Sequence, residues 1–414
     1  MQFISSVSIE MKAGRIILKI LLLTSIYPEP KEYCVPEDSN AIHYFAREFI
    51  KQGHEVIVCH LYSNPISRIG RMGLGVGSKK IKLNSRDGVK VVFSSIQIFI
   101  PHKYCGFKNV QTQTAKKVKR FLLEELHYIP DIVFAHYPTT FLYFCKELIG
   151  NWKASCVLHN TDLVELESRN AKEDSTYKDI LKKTFRIIGY RSQKLLERGI
   201  EIGLADEKSP IILSGITKSL IFSADQIYEK IGRIEPIKSL LFVGRLNEQK
   251  RVHIVLKAIS LCKTQCVLRI IGDGPQKEEF IKLAKDLGVS ERVTFLGTMT
   301  RESVSKAMYD SDVFVMVSKG ETLGLVYLEA MAAGCITIGS RGEGIDGIIK
   351  NGENGFLVTP DDAHELAMCI DYVLSSPRGK LEPVCLNGYK TAIKLTDDLL
   401  ASSYIKSLCC ISNP

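Results

Sequence analysis

The chain has 414 residues, 45% hydrophobic and 24% charged, with a formal net charge of +9. That balance is the one expected of a soluble globular protein with room for two domains. A charge this modest leaves nucleic acid, an anionic membrane and phosphorylated substrates all open as partners. Twelve cysteines are scattered. Cys262-x3-Cys266 and Cys409-Cys410 have no second cluster to complete a zinc site, so the cysteines read as reduced thiols of a cytosolic protein. No stretch approaches the roughly 18 apolar residues of a membrane span.

The chain opens on a run from Ile16 to Ile26 that Lys19 interrupts and that leads into Tyr27-Pro28, as a first strand would. Residues 1–14 read as an extension, with Met11 as an alternative start. Further strands are predicted near Val56–His60, Val89–Ser94, Ile132–Ala135 and Ser155–His159. Helices near Ala41–Gln52, Thr114–His127 and Phe141–Leu148 separate them. Gly70, Gly73, Gly75 and Gly77 alternate with Arg68, Arg71, Lys79 and Lys80. No strand precedes them and no helix follows, so they read as a basic loop and not as a phosphate cradle. Lys116, Lys117, Lys119 and Arg120, followed by Phe121-Leu122-Leu123, admit two readings: a helix lying on a membrane, or a solvated basic face.

Between Leu204 and Pro236 the pattern weakens, which places a domain boundary there. The alternation then resumes: strand Leu240–Val243, a helix from Val252, strand Val267–Ile271, a helix from Gln276, strand Val293–Leu296, and a helix through Val304–Met308. Strands at Asp312–Val317, Cys335–Gly339 and Phe356–Val358 follow, with a helix near Asp361–Leu374. Ser375–Gly379 reads as a linker to a terminal segment too short to fold alone, which must pack on something. Alternating strands and helices argue for parallel sheets covered by helices.

Two stretches of the second half carry chemistry. In Lys319-Gly320-Glu321-Thr322-Leu323-Gly324-Leu325-Val326-Tyr327-Leu328-Glu329-Ala330-Met331-Ala332-Ala333-Gly334, Glu329 is the only charge on a helix that is apolar nearly all round. Such a helix is buried on every side, so its carboxylate needs a hydrogen-bonding partner. Glu321 lies ahead of the helix, whose N-terminal amides form an anion site. A ligand bearing both phosphate and hydroxyls fits the pair. The bland reading gives Glu329 a Lys or Arg partner and leaves Glu321 in solvent. In Leu240-Leu241-Phe242-Val243-Gly244-Arg245-Leu246-Asn247-Glu248-Gln249-Lys250 an apolar strand ends at a glycine turn flanked by two cations. Arginine as a fork and lysine as a point charge suit a diphosphate. Ligands of open α/β sheets collect at the carboxyl ends of strands. Ile270-Ile271-Gly272-Asp273-Gly274-Pro275 is a further glycine turn at that edge. Asp310-Ser311-Asp312 has the form of a metal-binding Asp-x-Asp, but it lies just before a buried strand, out of context.

Glu321-x7-Glu329, Gly-Arg-Leu-x3-Lys at 244–250 and Gly-Asp-Gly-Pro at 272–275, in this order and spacing, resemble the group-1 retaining glycosyltransferases of the GT-B fold. The resemblance is strong over about residues 240–375 and weaker before, at Tyr27-Pro28, Gly53-His54-Glu55-Val56, Pro130-Asp131-Ile132-Val133 and Val157-Leu158-His159-Asn160. It implies an α/β chain of two Rossmann-like domains facing a central cleft. The acceptor domain would be residues 15–205 with a returning segment 380–414, and the donor domain residues 206–379. By the same resemblance Gly244, Arg245, Lys250 and Gly272 would serve the donor diphosphate, with the two cations stabilising the leaving charge. Glu321 and the amides of Thr322, Leu323, Gly324 and Leu325 would hold the donor sugar and its phosphate, Glu329 the ribose, and Met299 the nucleobase. His159 would stand near the transferred sugar, although a bare histidine at a strand end is more often a satisfied hydrogen-bonding group.

The implied reaction is retaining transfer from a nucleoside diphosphate sugar to a glycan or lipid-linked acceptor in surface polysaccharide synthesis. It needs neither metal nor cofactor, involves no nucleic acid, and takes place on the cytoplasmic side of the membrane, where the Lys116 helix would touch an anionic surface. A catalytically silent nucleotide-sugar binder, a nucleotide-sugar epimerase and a phosphorylase of the same architecture remain alternatives. The family's glycine-rich turn after the first strand is missing, since Pro28-Glu29-Pro30 to Asp38-Ser39-Asn40 has no glycine, and Leu323 replaces a common Phe.

Overall fold

The computed structural model describes residues 10–12, 15–27, 40–66, 81–99, 108–169, 171–232 and 238–409. The glycine-free turn after Tyr27 and the basic loop from Arg68 to Lys80 lie outside these. The chain divides into two compact units. One comprises residues up to 191, 195–212 and those from 401 onward; the other comprises 192–194 and 213–400.

In the first unit a short hairpin of β1 (Glu10–Lys12) and β2 (Arg15–Ile17) takes in Met11. It precedes a seven-stranded sheet made of β3 (Lys19–Thr24), β4 (Glu55–Ile66), β5 (Lys82–Arg86), β6 (Val89–Phe99), β7 (Ile132–His136), β8 (Ala154–Leu158) and β9 (Ile188–Tyr190), in the order β5-β6-β4-β3-β7-β8-β9. All neighbours run parallel except β5 and β6. These two are joined by Asp87-Gly88, both at positive φ, the backbone that a two-residue hairpin turn requires. The β7 and β8 strands are buried along their whole length because helices cover both faces of a parallel sheet.

The chain returns to this unit with the second part of the helix Asp397–Cys409. Its Tyr404 is buried against Phe45, Phe49 and Phe134 at ring-centroid distances of 4.9, 5.4 and 5.0 Å. Ser155 Oγ donates to the carbonyl of Leu408 at 2.7 Å. The returning segment thus begins at 401 and not at 380. The predicted linker comes down to the break at Ser376-Pro377, and Arg378 already opens the helix Arg378–Ala392, which belongs to the second unit, where Arg378 pairs with Asp312 at 2.8 Å and the Tyr389 hydroxyl donates to the carbonyl of Phe222 at 2.9 Å.

The second unit carries β10 (Ser239–Val243), β11 (Val267–Ile271), β12 (Val293–Gly297), β13 (Val313–Val315), β14 (Ile336–Ser340) and β15 (Phe356–Val358), all parallel, in the order β12-β11-β10-β13-β14-β15. The strand order reverses between β10 and β13. Loops leaving the carboxyl ends of those two strands diverge there and leave the crevice in which doubly wound sheets bind ligands.

At this edge the glycine requirement falls on Gly272 and Gly274 more than on Gly244. A Cβ on Gly272, which sits at φ +136°, would lie 1.9 Å from the Gly244 carbonyl oxygen, and one on Gly274 would lie 2.4 Å from that of Leu246. A Cβ on Gly244 would meet nothing closer than the Phe242 ring at 3.5 Å. Gly272→Ala is therefore expected to cost about 2 kcal/mol or more in urea unfolding, and Gly244→Ala less than about 1 kcal/mol. Equal losses would remove the steric assignment.

Candidate functional site

The turns after β10, β11 and β12 are tied backbone to backbone. Gly244 N donates to the Ile271 carbonyl at 3.0 Å, Gly272 N to that of Gly297 at 2.8 Å, and Leu246 N to that of Asp273 at 2.9 Å. Asn247 accepts from Lys250 N at 3.3 Å, and Arg251 takes the left-handed conformation before helix Val252–Leu261 begins. Arg245 and Lys250 therefore stand on a stiff support, which is what lets a cation be aimed in advance.

Beyond β13 the chain is held by its own helix. The Tyr327 hydroxyl donates to the Met316 carbonyl at 2.8 Å, and Ser340 Oγ donates to that of Ser318 at 2.7 Å. The loop carrying Glu321 is then joined to the β10 loop across the reversal point. Lys319 N donates to the Gln249 carbonyl at 2.9 Å and Gln249 Nε2 to that of Gly320 at 3.1 Å, while the Lys250 ammonium pairs with the Glu321 carboxylate. Both partners of that pair are largely buried, at 18% and 15% side-chain exposure, which raises the interaction above that of a solvated pair. Gly320 and Gly324 lie at φ +78° and +77°, and the helix Leu325–Ala332 starts immediately after.

A residue that sequence reasoning missed completes this loop. Glu343 is buried, and its Oε2 accepts from Gly320 N at 2.9 Å and Glu321 N at 3.1 Å. Gly344 beside it packs so tightly that a Cβ would lie 2.0 Å from the Thr322 carbonyl oxygen. The available signal was Gly342-Glu343-Gly344, one residue beyond β14, at the same carboxyl edge.

Glu329 has the arginine partner that the bland reading gave it, on a helix that is not buried on every side. Its helix buries Tyr327, Leu328, Ala330, Met331 and Ala332, but Leu325, Val326 and Glu329 keep some exposure. Glu329 accepts from Arg301 Nη2 at 2.6 Å, with side-chain exposures of 18% and 44%. Arg301 opens the helix Arg301–Tyr309. The pairing crosses 28 positions, which no local periodicity signals. Met299, just ahead of that helix, is exposed, and Leu323 is buried. Asp312 does not offer a metal ligand set, because Ser239 Oγ at 2.7 Å and Arg378 Nη2 at 2.8 Å already occupy its two oxygens.

His159 belongs to the first unit, directly after β8, and is buried. Its Nε2 shares a hydrogen bond with His136 Nδ1 at 3.0 Å, and His136 Nε2 shares one with the Tyr404 hydroxyl at 2.9 Å. The Tyr137 ring stacks on His159 at 3.7 Å, and His159 N donates to Asp162 Oδ2 at 2.8 Å. These are the contacts of a satisfied hydrogen-bonding group. Burial holds both imidazoles well below the usual histidine range, helped by the charge of Arg191. On the helix Lys108–Arg120, Lys116, Lys117 and Arg120 are exposed, whereas Lys119 turns onto the Trp152 ring at 4.5 Å.

Two expectations follow. Removing the acceptor of two loop amides by Glu343→Ala should cost about 2 kcal/mol and speed hydrogen exchange at Gly320 and Glu321; unchanged exchange there would remove Glu343 as the support of the loop. The buried histidines bind fewer protons in the folded chain than in the unfolded one, so stability is retained above the unfolded histidine pKa and falls as pH drops below about 6.5. For His60, which burial lowers to about 4, the loss develops between those two values. A melting temperature that stays flat from pH 7 to 4.5 would contradict this.

Residues 224–390 match the family model described as glycosyl transferases group 1. The N-acetyl-alpha-D-glucosaminyl L-malate synthase of Bacillus anthracis is 29% identical over 248 residues, covering 57% of this chain and 63% of its own. The lipopolysaccharide core biosynthesis glycosyltransferase LpsE of Rhizobium meliloti is 32% identical over 172 residues, 41% of this chain and 49% of its own. The chain thus matches less than two thirds of the length of these relatives. Among solved structures, Anabaena HepE in complex with UDP superposes with a TM-score of 0.69 at 18% identity, over 95% of this chain and 100% of that one. Sucrose-phosphate synthase from Thermosynechococcus elongatus gives 0.67 at 18%, with the same coverage. No helix among the described residues is long and apolar enough to cross a membrane. Residues 224–390 thus carry the match to the group 1 glycosyltransferases, on a chain with the two parallel-sheet α/β domains of the GT-B fold.

Proposed function

We propose that the protein transfers a sugar from a nucleoside diphosphate sugar to a glycan or lipid-linked acceptor, with retention of anomeric configuration and without a metal ion. The observation that carries this reading is the Lys250–Glu321 pair, set where the second sheet reverses and beside the start of helix Leu325–Ala332. A donor diphosphate entering there takes the Lys250 ammonium and the Arg245 guanidinium. This frees the Glu321 carboxylate to accept hydroxyls of the sugar. As the sugar–phosphate bond breaks, negative charge grows on the leaving diphosphate, and cations already fixed by the Gly244–Lys250 turn stabilise it without reorganisation. The amides of Thr322 to Leu325 face the same charge at a helix start.

Glu329 takes the ribose hydroxyls in this reading while still paired with Arg301, and Met299 lies beside the base. Two structures of HepE, in complex with UDP and with UDP-glucose, support a nucleotide-sugar donor. Relatives named for lipopolysaccharide core biosynthesis and for sulfoquinovosyl transfer support a role in making surface or lipid-linked glycans. The exposed Lys116, Lys117 and Arg120 would hold the protein to the cytoplasmic face of an anionic membrane.

Labelled nucleotide sugars and detergent-solubilised lipid acceptors provide the test. Lys250→Ala is expected to weaken donor binding by about 2 kcal/mol or more, read as loss of donor-induced thermal stabilisation. Glu321→Ala is expected to lower turnover by about 100-fold with a much smaller change in donor affinity. The product should keep the donor's anomeric configuration by NMR, and EDTA should leave the rate unchanged. Donor binding without transfer, unaffected by Glu321→Ala, would favour a silent binder over an enzyme.

A further inference from the structure

Three neighbouring strands of the first sheet deliver polar residues to one carboxyl edge. His136 ends β7, His159 follows β8 and Arg191 follows β9. Arg191 stands apart chemically. Its side chain lies in a residue only 3% exposed, and its Nη1 has no hydrogen-bond partner among the described residues. The groups that act on its charge are the hydroxyls of Tyr137 and Tyr404, and its own field reaches His136 and His159. No carboxylate is among them. The guanidinium lies 5.8 Å from the centroid of the Phe45 ring, a contact too weak to replace a counter-ion.

Burial lowers the Arg191 pKa to about 10, so the group remains a cation at neutral pH. A buried cation with no carboxylate counter-ion is among the costliest arrangements a fold can keep. The neighbouring imidazoles, held neutral and hydrogen-bonded to each other and to the Tyr404 hydroxyl, cannot balance it. Parallel sheets bind ligands at this edge, and a guanidinium is the side chain best matched to the planar fork of a carboxylate or to phosphate oxygens.

We propose that Arg191 holds the anionic group, a carboxylate or a phosphate, of an acceptor bound at the carboxyl edge of β7, β8 and β9. The assignment to an acceptor rests on the transferase reading above, in which Arg245 and Lys250 already serve the donor. The anion site itself stands on Arg191 alone.

Thermal unfolding of the full chain tests it, in chloride buffer and with millimolar phosphate or malonate at matched ionic strength. Wild type is expected to melt about 3 °C higher with at least one of the two anions, and the more effective one identifies the group. Arg191→Met should lose that shift while melting no lower than wild type in chloride, since the change removes an unpaired buried charge. Arg191→Lys, which keeps the charge without the fork, should retain a reduced shift. Absence of any shift in wild type, or its persistence in Arg191→Met, overturns the proposal. So does a Met variant much less stable than wild type in chloride, because the guanidinium would then be structural.

In the transfer assay the effective anion should compete with acceptor and not with donor; competition with donor would move the anion to the other unit and overturn the assignment. Lys250→Ala should lose the donor shift and keep the anion shift. An anion shift that depends on Arg191, in a protein that no nucleotide sugar stabilises, would sink the transferase reading and leave the anion site standing.

Discussion

The second unit depends on one constraint: two loops that leave opposite sides of a reversal point must be held together without a strand between them. Strands β10 and β13 are hydrogen-bonded neighbours, but beyond Val243 and Val315 the sheet offers no further ladder. The ion pair of Lys250 with Glu321 and the two hydrogen bonds through Gln249 take over from it. Charged groups therefore do structural work where chemistry is also needed. The same carboxylate and ammonium cannot pair with each other at full strength and also meet a ligand's hydroxyls and phosphates. Under the proposed function, a donor bearing both groups would replace both halves of the pair at once.

Most of this unit was legible in the sequence because each β-strand of a doubly covered parallel sheet is a short, continuous apolar run. Leu240–Val243, Val267–Ile271 and Phe356–Val358 needed no more than that. In the first unit β5 escaped notice because Lys-Leu-Asn-Ser-Arg is exposed along its whole length on a sheet edge, where polar residues are favoured. With only three residues, β9 is too short for a pattern. The returning segment was recognised as needing a surface to pack on. Its starting point was not, because Arg378–Ala392 continues as helix through a proline at 383.

At the site, residue types and spacing located Arg245, Lys250 and Glu321, since glycine turns after apolar strands mark the carboxyl edge. Partners were another matter. Glu329 finds Arg301, and Gly320 and Glu321 find Glu343, through contacts set by how whole helices and strands stack. Such pairings leave no local signature. His159 was read both as a group near the reacting sugar and as an ordinary hydrogen-bonding histidine. The chain of contacts through His136 to Tyr404 supplies the second description and shows why the C-terminal helix matters to that edge.

The glycines at 272, 274 and 344 have a consequence for how such a site can change. Where main chain lies against main chain, neither loop can gain a Cβ or an inserted residue without being pushed off its neighbour. The side chains of Arg245 and Thr322, which project from these loops, are outside that limit. Ligand preference at this edge can therefore be rewritten residue by residue on an unmoving frame, and loop-length variation has to be accommodated elsewhere in the chain.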